Sequence, residues 1–245
     1  MNKKLSIPSD PCWRESIFAI KCSLKFGSFE EFKKYLIEHL PQNSLRTKKR
    51  YASYILARFF PNQSLEQLPV MVWKSYHDEN ILLGIMRFEF LRREKLIALF
   101  IEKKLSGFGP GSLIPKEAFL EYLTEIFGEI RPKVLSRFTE ILRSLGYLGY
   151  NHRKYFIPSI VPNKTAFLII LHHLFAKTVQ TVALKDIETD PFWKYLRIPN
   201  GQSIKLLLRE ASANNLISKY IVADQLEQIT TRYSLKEFIE RKIAL

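Results

Sequence analysis

Residues 115–157 read PKEAFLEYLTEIFGEIRPKVLSRFTEILRSLGYLGYNHRKYFI, and the punctuation and periodicity of this stretch decide the fold. Pro115 opens a helix expected to reach Phe127, with Phe119, Tyr122, Leu123 and Ile126 recurring on one face. Gly128 supplies a turn, and Pro132 suits the first position of a second helix, where its missing N–H costs nothing. That helix carries Val134, Leu135, Phe138, Ile141, Leu142 and Leu145 inward. Lys133, Arg137, Glu140 and Ser144 fall together on the opposite face, and Gly146 ends the helix. Two short runs follow, Tyr147-Leu148 and Tyr155-Phe156-Ile157, around the polar turn Asn151-His152-Arg153-Lys154. Helix, turn, helix and β-hairpin in so few residues is the winged-helix pattern, a helix-turn-helix with an appended hairpin.

Working outward, residues 203–233 repeat the theme. Ser203 to Asn215 is amphipathic through Ile204, Leu207, Leu208 and Ala211. Leu216-Ile217, Tyr220-Ile221-Val222 and Gln228 to Tyr233 then read as a hairpin, and Ser234 with Glu237 caps a last helix. Lys164 to Leu184 is helical in pattern. Toward the N-terminus, Arg14 to Phe26 is a first helix ended by Gly27. Ser28 with Glu31 forms a capping box before a second helix, whose stripe Phe29, Phe32, Leu36 and Leu40 stops at Pro41.

A third helix spans Ser44 to Phe60. Tyr51, Ile55 and Phe59 form its apolar stripe, while Arg46, Lys48, Lys49, Arg50 and Arg58 are expected away from it. Asp78 to Leu105 is one long helix or two, interrupted at Arg92-Arg93-Glu94-Lys95. Gly107, Gly109, Pro110 and Gly111 then mark the sharpest boundary in the chain. The expectation is a mainly α protein: a helical N-terminal domain over 1–106, a winged-helix domain over 107–162, and a helix-hairpin region over 163–245. The two helix-hairpin stretches are winged-helix-like modules with small β-hairpins.

Charge narrows the partners. Across 245 residues, 38 Lys and Arg face 24 Asp and Glu, a formal +14, which concentrates polyanions at the surface. Membrane is the weaker option. The most apolar run, Thr165 to Ala176, is twelve residues long and too short to span a bilayer. Near the start, Pro8, Asp10 and Pro11 interrupt any apolar stretch, so no signal peptide is expected and a cytoplasmic location is the default. Cys12 and Cys22 are the only cysteines, which makes no disulfide framework and no zinc-ligand spacing.

Gly107 to Gly111 lacks the Lys-Ser/Thr of a phosphate loop, and Pro110 removes an N–H that such a cradle needs. The histidines 39, 77, 152, 172 and 173 form no His-Glu-x-x-His. Adjacent His172 and His173 would point about 100° apart on a helix, which favours packing over metal binding. His152 is either an exposed turn residue or a pH-dependent phosphate contact. No cofactor, no metal and no catalytic residue is expected, and the chain is read as a non-enzyme.

Three regions of the chain also carry a family likeness. The first is Ser28-Phe29-Glu30-Glu31-Phe32, followed by Leu45-Arg46-Thr47-Lys48-Lys49-Arg50-Tyr51 on a basic helix. The second is Ile141-Leu142-Arg143-Ser144-Leu145-Gly146-Tyr147-Leu148, and the third is the closing Tyr233-Ser234-Leu235-Lys236-Glu237-Phe238. In this order they resemble the BrxA family, small components of the BREX bacteriophage-defence systems. The resemblance covers most of the chain through the order and character of its elements. It implies a helical fold with small hairpins, binding to double-stranded DNA, and work beside other BREX proteins: an ATPase, a methyltransferase and a phosphatase-like protein. Residues 164–245 run longer than the family pattern implies, and no individual functional residue carries over.

Charge and periodicity therefore choose the candidate DNA-binding residues. These are Lys133 and Arg137 on the second helix of the pair, Arg153 and Lys154 in the wing, and Lys48, Lys49 and Arg50 as an accessory phosphate patch. The rivals are a winged-helix scaffold for other defence proteins, a transcriptional regulator, and an RNA-binding protein. The last is least favoured, because the 11 tyrosines and 18 phenylalanines mostly sit at core spacing.

Overall fold

A computed structural model of the chain describes residues 10–223 and 226–245. Residues 1–9, which entered the reading of the N-terminus, and Asp224 and Gln225 lie outside the described residues. The chain is mainly helical, with two small three-stranded antiparallel sheets. It forms two compact units, each assembled from two separate stretches: residues 1–70 with 89–160, and 71–88 with 161–245. Of the three consecutive segments expected from sequence, 107–162 falls in the first unit save its last two residues. Residues 71–88 join the 163–245 segment instead of the rest of 1–106.

The first unit opens with α1 (Trp13–Ser23), α2 (Phe29–His39) and α3 (Leu45–Phe59). Ser28 and Ser44 start α2 and α3 by accepting the N–H groups of Glu31 and Thr47, so local hydroxyls set both boundaries. Phe32 and Phe60 pack at 4.7 Å, and Trp13 meets Phe59 and Phe90 edge-on. Arg58 departs from the sequence reading. It is only 4% exposed, donates to Glu94 at 2.8 Å and to the Asp10 carbonyl at 2.6 Å, and lies over the Phe90 ring. It follows Ile55 by three positions and so shares the inner face of α3, where a guanidinium persists only because its donors are satisfied.

α4 (Leu68–Tyr76) and α5 (Glu79–Arg93) each begin in one unit and end in the other. Glu94 breaks the helical run, and α6 (Lys95–Phe100) continues into a π-helical turn over Ile101–Leu105. After the glycine-rich stretch come β1 (Leu113–Ile114), α7 (Lys116–Phe127), α8 (Pro132–Ser144), β2 (Gly149–Asn151) and β3 (Lys154–Phe156). β3 is central in this sheet, pairing with β1 and β2. Helix–strand–helix–helix–strand–strand, with the first strand beside the last, is the complete winged-helix order. Phe100 of α6 anchors it, with ring centroids 5.4 Å from Phe119, 5.0 Å from Tyr122 and 5.1 Å from Phe138. The Tyr122 hydroxyl donates to the Leu96 carbonyl at 2.8 Å, satisfying its one polar atom in that core.

The second unit repeats this order. α9 (Lys164–Phe175) precedes β4 (Thr181–Ala183), α10 (Leu184–Thr189), the short α11 (Phe192–Tyr195) and α12 (Gly201–Ala213). β5 (Ile217–Ala223), β6 (Leu226–Thr231) and α13 (Leu235–Glu240) complete it, with strand order β4-β6-β5. The two sheets thus share one topology, the first strand pairing with the last in each. α9 is buried over most of its length, which explains a run apolar on every side. A Cβ on Gly84 would stand 2.7 Å from that of Ala166, so α5 and α9 approach too closely for any other residue at 84. Ser234 and Glu237 form the expected reciprocal capping box on α13.

Candidate nucleic-acid interface

α8 is amphipathic in the way its sequence requires. Leu135, Phe138, Ile141 and Leu142 are buried, whereas Lys133, Ser136, Arg137, Glu140 and Arg143 are exposed. Its N-terminus carries cations and no acid: Arg131 precedes Pro132, Lys133 follows, and no side chain caps the free N–H groups. The helix dipole disfavours positive charge there, so this end is left ready for an anion.

The wing is tied to the helix behind it. The Tyr155 hydroxyl reaches Thr139 Oγ1 at 3.4 Å, and its ring packs on Phe119 at 5.2 Å and Tyr150 at 4.9 Å. Phe156 lies across Gly149, where an added Cβ would come within 2.1 Å of the ring, so any other residue there would have to push the ring aside. His152 and Arg153 form the tip, with φ of 46° and 61°. Two successive left-handed residues are what a two-residue type I′ hairpin demands, a conformation Asn-Gly adopts with least strain. His-Arg costs about 1–2 kcal/mol per residue there, which places Arg153 at the apex against local preference.

Of the seven residues singled out from sequence, Lys133, Arg137, Arg153 and Lys154 all belong to this module. All four are exposed, and none of their side chains makes a hydrogen bond or ion pair among the described residues. The other three lie on α3. There the Lys48 ammonium donates to the Glu38 carbonyl at 2.7 Å, capping the C-terminus of α2. Lys49 is exposed, and Arg50 lies over the ring of its neighbour Tyr51 at 6.0 Å.

Sequence reasoning missed Tyr150 and the role of Arg143. The Arg143 guanidinium lies over the half-exposed Tyr150 ring at 5.6 Å. Both line an open cleft of about 410 Å³ together with Glu140, Ser144, Leu148 and Gly149. The available signal was a tyrosine placed outward on a hairpin strand.

The matching surface of the second unit is wired differently. Lys205 of α12 pairs with Glu227 of β6, and Glu227 also accepts the Tyr220 hydroxyl at 3.1 Å. Arg209 lies over the Tyr220 ring at 5.8 Å, and Lys164 binds Glu210 at 2.5 Å. The Lys205 and Tyr220 hydrogen bonds hold the Glu227 carboxyl below its ordinary range. Lys205 and Arg209 of this helix are thus directed at its own hairpin, which exposes Ile221, Val222 and Leu226 beside a single lysine, Lys219.

Neither cysteine is poised for chemistry. Both are buried, and burial pushes the Cys12 thiol up to about 12 and that of Cys22 to about 11. His172 is fully buried, with Nδ1 at 2.7 Å from the Leu168 carbonyl and Nε2 without a partner. Among the described residues no three His, Cys, Asp or Glu groups are placed to hold a metal ion, and no helix is long and apolar enough to cross a membrane. No protein-family model, curated protein or solved structure matches this chain.

Proposed function

We propose that this is a cytoplasmic, non-catalytic double-stranded DNA-binding protein in which the first winged-helix module makes the contact. α8 enters the major groove and the 152–153 turn lies along the backbone, the docking mode of winged helices. One observation carries this reading: Lys133, Arg137, Arg153 and Lys154 are exposed and unpartnered on one module, whereas Lys205 and Arg209 of the other are occupied by their own hairpin. Side chains that pair with no acid among the described residues, and a wing strained to present an arginine, fit an external polyanion. Most such contacts reach phosphates, so affinity is largely independent of sequence. The resemblance to the BrxA family supports a place in bacterial phage defence beside other BREX proteins.

The test is a gel shift of the purified chain with duplex DNA, single-stranded DNA and duplex RNA over a salt series, with nuclease and nucleotide hydrolysis followed in parallel. Preference for duplex DNA, steep loss with salt and no turnover are expected. A flat salt response, or turnover abolished by one carboxylate substitution, refutes the proposal. The exposed Ile221, Val222 and Leu226 favour a second reading, a scaffold for other defence proteins. A chain that shifts no DNA even at low salt supports that instead.

A further inference from the structure

The outer face of α8 has an acid at its centre. At about 100° per residue, Glu140 lies roughly 20° to one side of Lys133 and Ser144 roughly 20° to the other. Glu140 is exposed, and its carboxylate makes no ion pair or hydrogen bond among the described residues. Arg137 and Arg143 stand three residues before and after it, the spacing at which helical ion pairs form. Neither takes it, and Arg143 lies over Tyr150 instead. Glu140, Arg143 and Ser144 of α8 line the open cleft together with Leu148, Gly149 and Tyr150. The carboxylate is therefore unpaired, central on the outer face, and part of a cleft that Ser144 and Tyr150 also line.

A carboxylate on a helix in the major groove is repelled by phosphates and by most base edges. Guanine presents the acceptors O6 and N7, and thymine presents O4. Adenine places the N7 acceptor beside its N6 amine. Adenine N6 thus lies between two acceptors, its own N7 and thymine O4, whereas cytosine N4 has an acceptor, guanine O6, on one side only and the C5–H edge on the other, so it is the amine most open to a carboxylate. We propose that Glu140 is a base-reading residue, accepting a hydrogen bond from cytosine N4 and disfavouring A·T pairs. The proposal rests on the duplex-DNA reading above and adds a modest base preference to contacts dominated by phosphate.

The experiment measures fluorescence anisotropy of the full chain on two mixed-sequence duplexes of equal length, one all G·C and one all A·T, at one salt concentration. The chains compared are wild type, Glu140→Ala and Lys154→Ala. Wild type should prefer the G·C duplex by about three- to tenfold, in keeping with one base contact. Glu140→Ala should bind the A·T duplex more tightly, as a repelled charge is gone, and bring the ratio close to one. Lys154→Ala should weaken both duplexes by the same factor. A wild-type ratio of one, or a ratio that Glu140→Ala leaves unchanged, overturns the role of Glu140 while leaving DNA binding standing. Binding to neither duplex overturns the DNA reading, and this inference with it.

Discussion

Reversing two charges on α8 separates the proposed DNA face from a merely basic surface. In the first module, residues 131–157 hold six basic residues and one acid, a net +5; in the second, residues 201–233 hold four against three, a net +1. Arg131, Lys133, Arg137, Arg153 and Lys154 are exposed and have no partner among the described residues, so five phosphates can be neutralised. Counterion release then sets the slope of log K against log salt near −0.9 per phosphate, about −4.5 in total. Lys133→Glu with Arg137→Glu removes two of the five and should flatten the slope to about −2.7. At 0.15 M salt each lost contact costs a factor of about 5.5, so the pair costs about thirtyfold in affinity before any repulsion from the new acids. Lys205→Glu with Arg209→Glu breaks the pairing with Glu227 and Tyr220. It should lower the melting temperature but leave DNA affinity within about twofold. The assay is duplex binding across a salt series, in variants checked by melting for a folded state. Equal losses from the two pairs, or an unchanged slope for the first, would refute the division between modules.

Three further outcomes are expected. His152→Asn with Arg153→Gly relieves the left-handed turn, so the module should gain about 1–2 kcal/mol in chemical denaturation while DNA affinity falls; loss of stability would show that the tip is not strained. Glu94→Ala leaves the 4%-exposed Arg58 guanidinium without its carboxylate, and should cost about 3–5 kcal/mol in urea unfolding; a cost under about 1 kcal/mol would contradict the buried pair. Burial lowers the pKa of His172. Below the ordinary imidazole value near 6.5 the unfolded chain therefore binds a proton that the folded one does not. Its contribution to stability is complete above that value and is lost as pH falls toward the folded pKa. His172→Phe should flatten stability between neutral and mildly acidic pH, and an unflattened profile would exclude His172 as the cause.

Much of the fold was legible because helices announce themselves locally. The 3.6-residue stripe of α8, Pro132 at its start, Gly146 after it and the Ser234–Glu237 box are each set by neighbours a few residues away. So was the exposure of Lys133 and Arg137, since a helix with one apolar face has only one place to put charge. What tertiary structure decided depends on partners far along the chain. β1 and β4 are two and three residues long, and exist because Leu113 meets Phe156 and Thr181 meets Thr230. No local pattern distinguishes so short a strand from a loop, yet these strands complete both winged-helix sheets. Arg58 follows the periodicity of α3 inward only because Glu94, 36 residues on, is there to receive it. The same holds for the two modules' charges. Sequence counts a lysine on α8 and a lysine on α12 alike, and only the packing of Glu227 against Lys205 decides which of them remains available to an outside partner.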